Sequence, residues 1–265
     1  MRFAPALALP LLLCTPQLVR SQSRDGDFRW ERRLGAGQVV HARNINGDIR
    51  VTSSSSGRVE IVGVRRGRGR SADRLNAAVT ETSDGIVVCI VRVDADDECD
   101  GNGYHHNSND DNDDWGNASM NLEIRLPSNV EIDASSVSGN VDVAAAQGDV
   151  RAASVSGDVR LEGLRATSIE ARTVSGEITA GVESLTGNGP LSFKSVSGDV
   201  KLDLPRNLDA DLSMSSVSGQ LDSEFQMTLG GRTSRRRIEA RIGRGGRELS
   251  LTTVSGDVQL RMHRD

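Results

Sequence analysis

Apolar and polar residues alternate strictly through much of this chain. In the stretch SVSGDVRL, Val155, Gly157, Val159 and Leu161 share one side of an extended backbone, and Ser154, Ser156, Asp158 and Arg160 share the other. A period of two belongs to strands rather than helices. The expectation is therefore a valine-and-glycine face turned inward and a serine-and-charge face turned to solvent. Only Ser71–Val79 (SADRLNAAV) carries a helical period.

The alternating units repeat. SVSGDV stands at Ser154–Val159 and again at Ser195–Val200, TVSGDV at Thr253–Val258, and looser copies begin at Ser136, Thr173 and Ser216. Their glycines, Gly139, Gly157, Gly176, Gly198, Gly219 and Gly256, are 18, 19, 22, 21 and 37 residues apart, the last interval being about two units. Gly148, midway between the first two, predicts a second corner within a unit. Asn44–Val51 (NINGDIRV) and Ser56–Val64 (SSGRVEIVGV) read as decayed copies, and Ser83–Val93 as a further strand pair. Short strands returning at a near-constant interval with glycine at the bend predict an all-β, single-domain β-solenoid with repeats of about 18–22 residues. A β-sandwich has turn signals as frequent, but no reason to repeat one tripeptide.

Stacking accounts for the motif. Coils lie about 4.8 Å apart, and glycine at an inward bend avoids a Cβ in a narrow interior. Ser138, Ser156, Ser175, Ser197, Ser218 and Ser255 then form an outer ladder able to hydrogen-bond between coils. The next column holds Asn140, Asp158, Glu177, Asp199, Gln220 and Asp257, where Asn and Gln interrupt the acids. Cations two residues along offset the rest, in the pairs Asp48–Arg50, Asp149–Arg151, Asp158–Arg160 and Asp199–Lys201. A nucleophilic serine is needed once, beside one base. Here it recurs six times with no nearby histidine, so the glycines are structural sites and no catalytic residue is assigned.

Composition narrows the function classes. Residues 1–21 join Arg2, a short proline-broken apolar run and small residues before Ser21, the pattern of a secretory signal peptide. Leu13 before Cys14 does not suit a lipobox, and no transmembrane span is expected in residues 22–265. Removing the leader takes Arg2 and Arg20 from the 32 basic residues, leaving 30 against 37 acidic, net −7. Nine of those acids lie between Asp94 and Asp114, and the remaining body is near neutral, so charge gives no reason for a nucleic-acid partner. Aromatics are only 3%, which leaves Val, Ile, Leu and Ala to fill the core.

Cys89 and Cys99 are the cysteines left after the leader, and in an exported chain they predict a disulfide. It would close the base of Asp94–Asn117, an acidic segment without Lys or Arg that is expected to be a mobile loop outside the stacked core. Asp96, Glu98, Asp100 and Gly101 approach EF-hand spacing, but Asn107 stands at the twelfth position where Glu is needed. His105 and His106 lack a third ligand. No metal site and no cofactor are assigned. Gly67–Ala72 (GRGRSA) shadows a dinucleotide loop without its βαβ context. Arginines at Arg65–Arg70 and Arg232–Arg247 read as solvated faces and turns, with grip on an anionic polysaccharide or phosphate as the alternative.

The run RIGRGGRELSLTTVSGDVQLR (Arg241–Arg261), the repeated T/S-V-S-G-D/N-V units and the early FRWE…NINGDI resemble a bacterial family, the "putative adhesin" domain of unknown function. The resemblance spans roughly Phe28 to Arg261. Many members have Asn where this chain has Ser in its VSG units, and Asn46 keeps the Asn form. The resemblance implies a β-solenoid, a surface or envelope location and an adhesion-like role, and implies no catalytic residues.

The reading is a non-enzymatic exported protein of the periplasm, cell surface or medium, structural or adhesion-like. Its partner is unassigned, with an envelope component or a polysaccharide as candidates. One alternative is a Ca²⁺-responsive envelope sensor using the acidic loop. The other is a polysaccharide-processing enzyme on a β-helix, disfavoured because Phe28, Trp30, Tyr104, Trp115, Phe193 and Phe225 are scattered.

Overall fold

A computed structural model describes residues 27–67, 70–93, 95, 97–106, 118–230 and 233–263. The expected leader, residues 1–21, and Cys14 lie outside the described residues. Among those described are twenty-three strands and one short helix, Arg70–Asp73. The strands form two long, largely parallel sheets that enclose one apolar core, plus a separate two-stranded hairpin. The fold is the all-β solenoid that the repeat predicts.

Each regular coil gives one strand to each sheet, and the repeated motif makes the corner between them. In the Gly157 coil, for example, Val150–Ser156 joins one sheet and Val159–Ala166 the other. Named by corner glycine, the coils stack in the order Gly47, Gly139, Gly157, Gly176, Gly198, Gly256, Gly219. Parallel register aligns like with like, so one core column runs Val40, Ile132, Val150, Ile169, Leu191, Leu249 and Leu212. The facing sheet answers with Ile49, Val141, Val159, Ile178, Val200 and Val258. All are buried. Aliphatic columns of this kind need no aromatics, which explains the composition.

Chain order and stack order part company near the C-terminus. The 37-residue interval between Gly219 and Gly256 is not two successive coils. The chain makes the terminal coil first, doubles back through antiparallel strands Met227–Leu229 and Arg237–Ile242, and then inserts Glu248–Ser255 between Leu191–Lys194 and Ala210–Ser218. The N-terminal end departs as well. Val59–Arg66, expected as a coil, runs antiparallel to both Phe28–Arg32 and Ser119–Leu126. Ser83–Val93 supplies one strand, Gly85–Arg92, rather than a pair. It forms a hairpin with Leu75–Glu81, which takes most of the expected helix because Leu75, Ala77 and Val79 are buried at period two. Gly67–Ala72 leads into a helix of four residues, too short for a dinucleotide loop.

The faces at the corner differ from the simple alternation. Ala152 and Ser154 are buried, Val155 and Ser156 are exposed, and Val159 and Leu161 are buried again. The inward positions Ser154 and Val159 have opposite parity because the chain passes from one sheet to the other between them. The inner column is therefore the first Ser or Thr of each motif, and it is Val155, not Ser154, that faces solvent.

Each buried hydroxyl finds an acceptor one coil away. Ser154 Oγ donates to Gly139 O at 2.8 Å, Thr173 Oγ1 to Gly157 O at 2.9 Å and Ser195 Oγ to Gly176 O at 3.1 Å. Ser136, Thr253 and Ser216 repeat the bond to Gly47, Gly198 and Gly256. The column after glycine is a second ladder, of side-chain acceptors for the next coil's backbone. Asn140 Oδ1 accepts from Asp158 N, and Asp158 Oδ1 from Glu177 N, each at 2.9 Å. Asp158–Arg160 and Asp199–Lys201 pair as expected, whereas Arg50 reaches Asp142 and Arg151 reaches Glu170.

The ladder sets a test. Ser154→Ala strands a buried carbonyl and is expected to cost about 1–2 kcal/mol in urea unfolding, while exposed Ser156→Ala should cost less than about 0.5 kcal/mol. Equal costs would place the inner ladder on the wrong serine.

Candidate functional site

A hairpin stands on the outer surface of one sheet. Its strands, Asp97–Asp100 and Gly103–His106, pair antiparallel. Cys99 is joined by a disulfide to Cys89 of the Gly85–Arg92 strand, with 5.8 Å between the Cα atoms. Thr80 Oγ1 donates to Cys99 O at 2.7 Å, which ties the hairpin to the neighbouring strand as well.

Beneath the hairpin lies a closed ionic knot. The Asp97 side chain is fully buried. It accepts from Arg92 N (2.7 Å), Arg92 Nε (3.0 Å) and Nη2 (2.9 Å), and from Tyr104 Oη (2.9 Å), with His106 Nδ1 at 2.9 Å. Burial alone would push this carboxyl up, but the bonds from Arg92, Tyr104 and His106 outweigh it and hold the group at about 2. Burial, then the adjacent Asp97 carboxylate, pushes the Tyr104 hydroxyl up to about 12.

The described part of the acidic segment is a separate two-stranded sheet outside the two stacked sheets and is tied by the Cys89–Cys99 disulfide, but it is an ordered hairpin rather than an irregular loop. The hairpin is packed and locked, and Asp97 is one of the segment's nine acids. Glu98 and Asp100 lie along a strand rather than a coordinating loop, and Asp100 is engaged by Asn102 N and His105. Asp94, Asp96 and residues 107–117, with Asn107 and Trp115, lie outside the described residues.

The overhanging hairpin and the sheet below enclose a groove of about 390 Å³, lined by Arg43, Asn102, Tyr104, Ser135, Val137 and Val155 among others. Arg43 is oriented by Asp133, donating to Oδ1 at 3.0 Å and Oδ2 at 2.7 Å. His41 extends the chain of charges, with Nδ1 3.1 Å from Asp133 and Nε2 3.2 Å from Asp84. Burial tends to raise the Asp133 carboxyl, yet Arg43 and His41 hold it below the usual range. Hydrogen bonds from Thr82 and then His41 lower Asp84. These groups satisfy one another.

From the groove a ridge of valines runs the length of the stack. Val137, Val155, Val174, Val196, Val254 and Val217 occupy equivalent outward positions and are 38–58% exposed. Ile45 precedes them in register. Sequence reasoning placed these valines inside. A buried and an exposed valine look alike in the alternation, and the available signal was the odd spacing between the inner Ser and the next inner Val.

The remaining expected sites fall as follows. The six motif glycines sit at one corner, packed on the neighbouring coil's backbone, with a Cβ on Gly157 falling 2.3 Å from Gly139 O. Close approach between coils, rather than a crowded interior, excludes side chains there. In the second arginine cluster, Arg241 and Arg244 pair with Asp211 and Asp209. Arg247 is buried instead, and its guanidinium donates to the carbonyls of Thr167, Thr186, Gly187 and Gly189.

Comparison with known proteins adds a family and a fold. The family model described as Toastrack DUF4097 matches residues 19–261. A solved structure from Clostridium sporogenes, titled a "putative cell adhesion protein", aligns with a TM-score of 0.50 at 8% identity, covering 89% of this chain and 100% of that one. A "putative adhesin" from Bacteroides fragilis aligns with a TM-score of 0.33 at 12% identity, covering 91% and 98%. No curated protein matches the chain. At such identity the first likeness speaks to the fold alone.

Proposed function

The chain belongs to the toastrack DUF4097 family, and from that premise we propose a non-enzymatic exported protein that works by contact, as a structural or adhesion-like component of the cell envelope or surface. In this reading residues 1–21 are a leader removed on export. The observation that carries it is the division of labour in the repeat. The motif's buried hydroxyls and its carboxylates are committed to bonds within the stack, while its valines are left outside. A surface built by repetition offers extended contact, not one reacting centre.

The disulfide supports an oxidising compartment, since thiols are kept reduced in most cytosols. The solved structure that shares the fold is itself titled a "putative cell adhesion protein", a role compatible with this reading. Among the described residues no three His, Cys, Asp or Glu side chains converge as a metal site, so no observation there favours the Ca²⁺ reading.

Fractionation of the native host followed by thiol trapping tests the proposal. The protein is expected in an envelope or secreted fraction with Cys89 and Cys99 resistant to alkylation until reduced. Recovery in the cytosol with both thiols free would overturn it.

A further inference from the structure

We propose that the Gly256 coil is an exchangeable element: Glu248–Met262 of one copy fills the same slot in a second copy and so joins the two chains. The slot lies between two coils that come earlier in the chain. Glu248–Ser255 stands between Leu191–Lys194 and Ala210–Ser218, and Val258–Met262 between Val200–Leu204 and Leu221–Ser223. The coil made last therefore belongs inside the stack and not on its end.

The slot can close without it. Thr253 Oγ1 donates to Gly198 O at 3.0 Å, and one rung further Ser216 Oγ donates to Gly256 O at 2.9 Å. Asp257 N donates to Asp199 Oδ1 at 2.9 Å, and Gln220 N to Asp257 Oδ1 at 2.8 Å. With the Gly256 coil absent, Ser216 and Gln220 meet the same acceptors on Gly198 and Asp199. The core columns agree, since Leu212 stands in register with Leu249 and Leu221 with Val258. Closure holds the last coil outside with its bonds unmade, long enough for two copies to meet. The slot that suits it is present in every copy.

The link permits the exchange. Residues 243–247 cross over the start of Ala210–Ser218, because Arg237–Ile242 lies on one side of that strand and Glu248–Ser255 on the other. The crossing is about 10 Å, two strand spacings, whereas five extended residues reach about 17 Å. Gly243, Gly245 and Gly246 hold φ of 55°, 75° and 106° in the crossing, and glycine takes up an extended link as readily. Arg247 travels with the coil, and its bonds to the carbonyls of Thr167, Thr186, Gly187 and Gly189 form on whichever copy receives it. Each contact is thus remade in kind and only the link differs, so protein concentration sets the balance.

The test refolds the mature chain from urea without reductant at mildly acidic pH, which keeps Cys89–Cys99 closed. Lys194 and Thr252 are register partners on neighbouring coils. Lys194→Cys and Thr252→Cys chains, unfolded and refolded together, are expected to give a heterodimer with a short bis-maleimide. Its yield should rise with protein concentration. Arg172 and Lys194 are register partners too, on coils that follow one another in the chain, so a mixture of Arg172→Cys and Lys194→Cys chains is the control. The first mixture should exceed it roughly tenfold. Deleting Gly245 and Gly246 leaves three residues for the crossing and should shift the product further to dimer, because short links favour exchange. A heterodimer yield no higher than the control overturns the proposal. So does a deletion chain that folds and stays monomeric at the same concentration.

Discussion

Gly157→Val is expected to unfold the solenoid locally or wholly, at a cost above about 4 kcal/mol. A Cβ at this position would lie 2.3 Å from Gly139 O and 2.6 Å from Gly139 C. Both are backbone atoms, so no side chain can swing aside to make room. Relief requires the two coils to part at the corner. Parting there breaks Gly139 N to Ser156 O and the Ser154 hydroxyl bond to Gly139 O. The clash comes from the Cβ itself, so Gly157→Ala should already cost about 2–4 kcal/mol, and the valine methyls add to it. Gly230, with open space around its Cβ position, is the control and should tolerate alanine within about 0.5 kcal/mol. Urea unfolding of the three variants checks the order. A near-neutral Gly157→Ala would mean that the corners are not packed backbone on backbone.

That contact also marks how far the sequence can be read. The solenoid was legible because each coil repeats the same local problem, a tight corner between two short strands, and so repeats its residues. The side facing the core was not legible at the corner. Alternation carries across a strand but not through a turn between sheets, so Val155 was assigned to Ser154's side of the wall. The insertion of the Gly256 coil was hidden for a related reason. Spacing along the chain records the length of a detour and not where the chain returns.

Single residues outside the repeat were harder still. Arg247 resembles its neighbours Arg241 and Arg244, which pair with carboxylates at the surface, yet it is buried among carbonyl oxygens of distant corners. Nothing local distinguishes it. Cys89 and Cys99 could be read as a pair from count and compartment. What they fasten could not, because Asp97 is one acid among nine and only its partners make it different.

Asp97→Ala carries the second large expected effect, a loss of about 3–5 kcal/mol, because it leaves the Arg92 guanidinium buried without its counter-charge. Arg92 is almost fully enclosed, and Tyr104 loses its acceptor at the same time. Asp97→Asn keeps the shape and some hydrogen bonds but not the charge, so a smaller loss is expected. The pH dependence follows from the carboxyl's position at about 2, below its ordinary 3.8. A depressed carboxyl contributes stability above its unfolded pKa and loses it as pH falls through the folded one. The contribution, about 2 kcal/mol, should therefore be complete above pH 4 and disappear as pH approaches 2. Wild type and Asp97→Asn should differ most at neutral pH and converge in acid. A gap that stays constant from pH 7 to 2 would show that the carboxylate's charge is not what holds the hairpin down. Deleting residues 101–115 should destabilise the chain too, since Tyr104 and His106 leave with them.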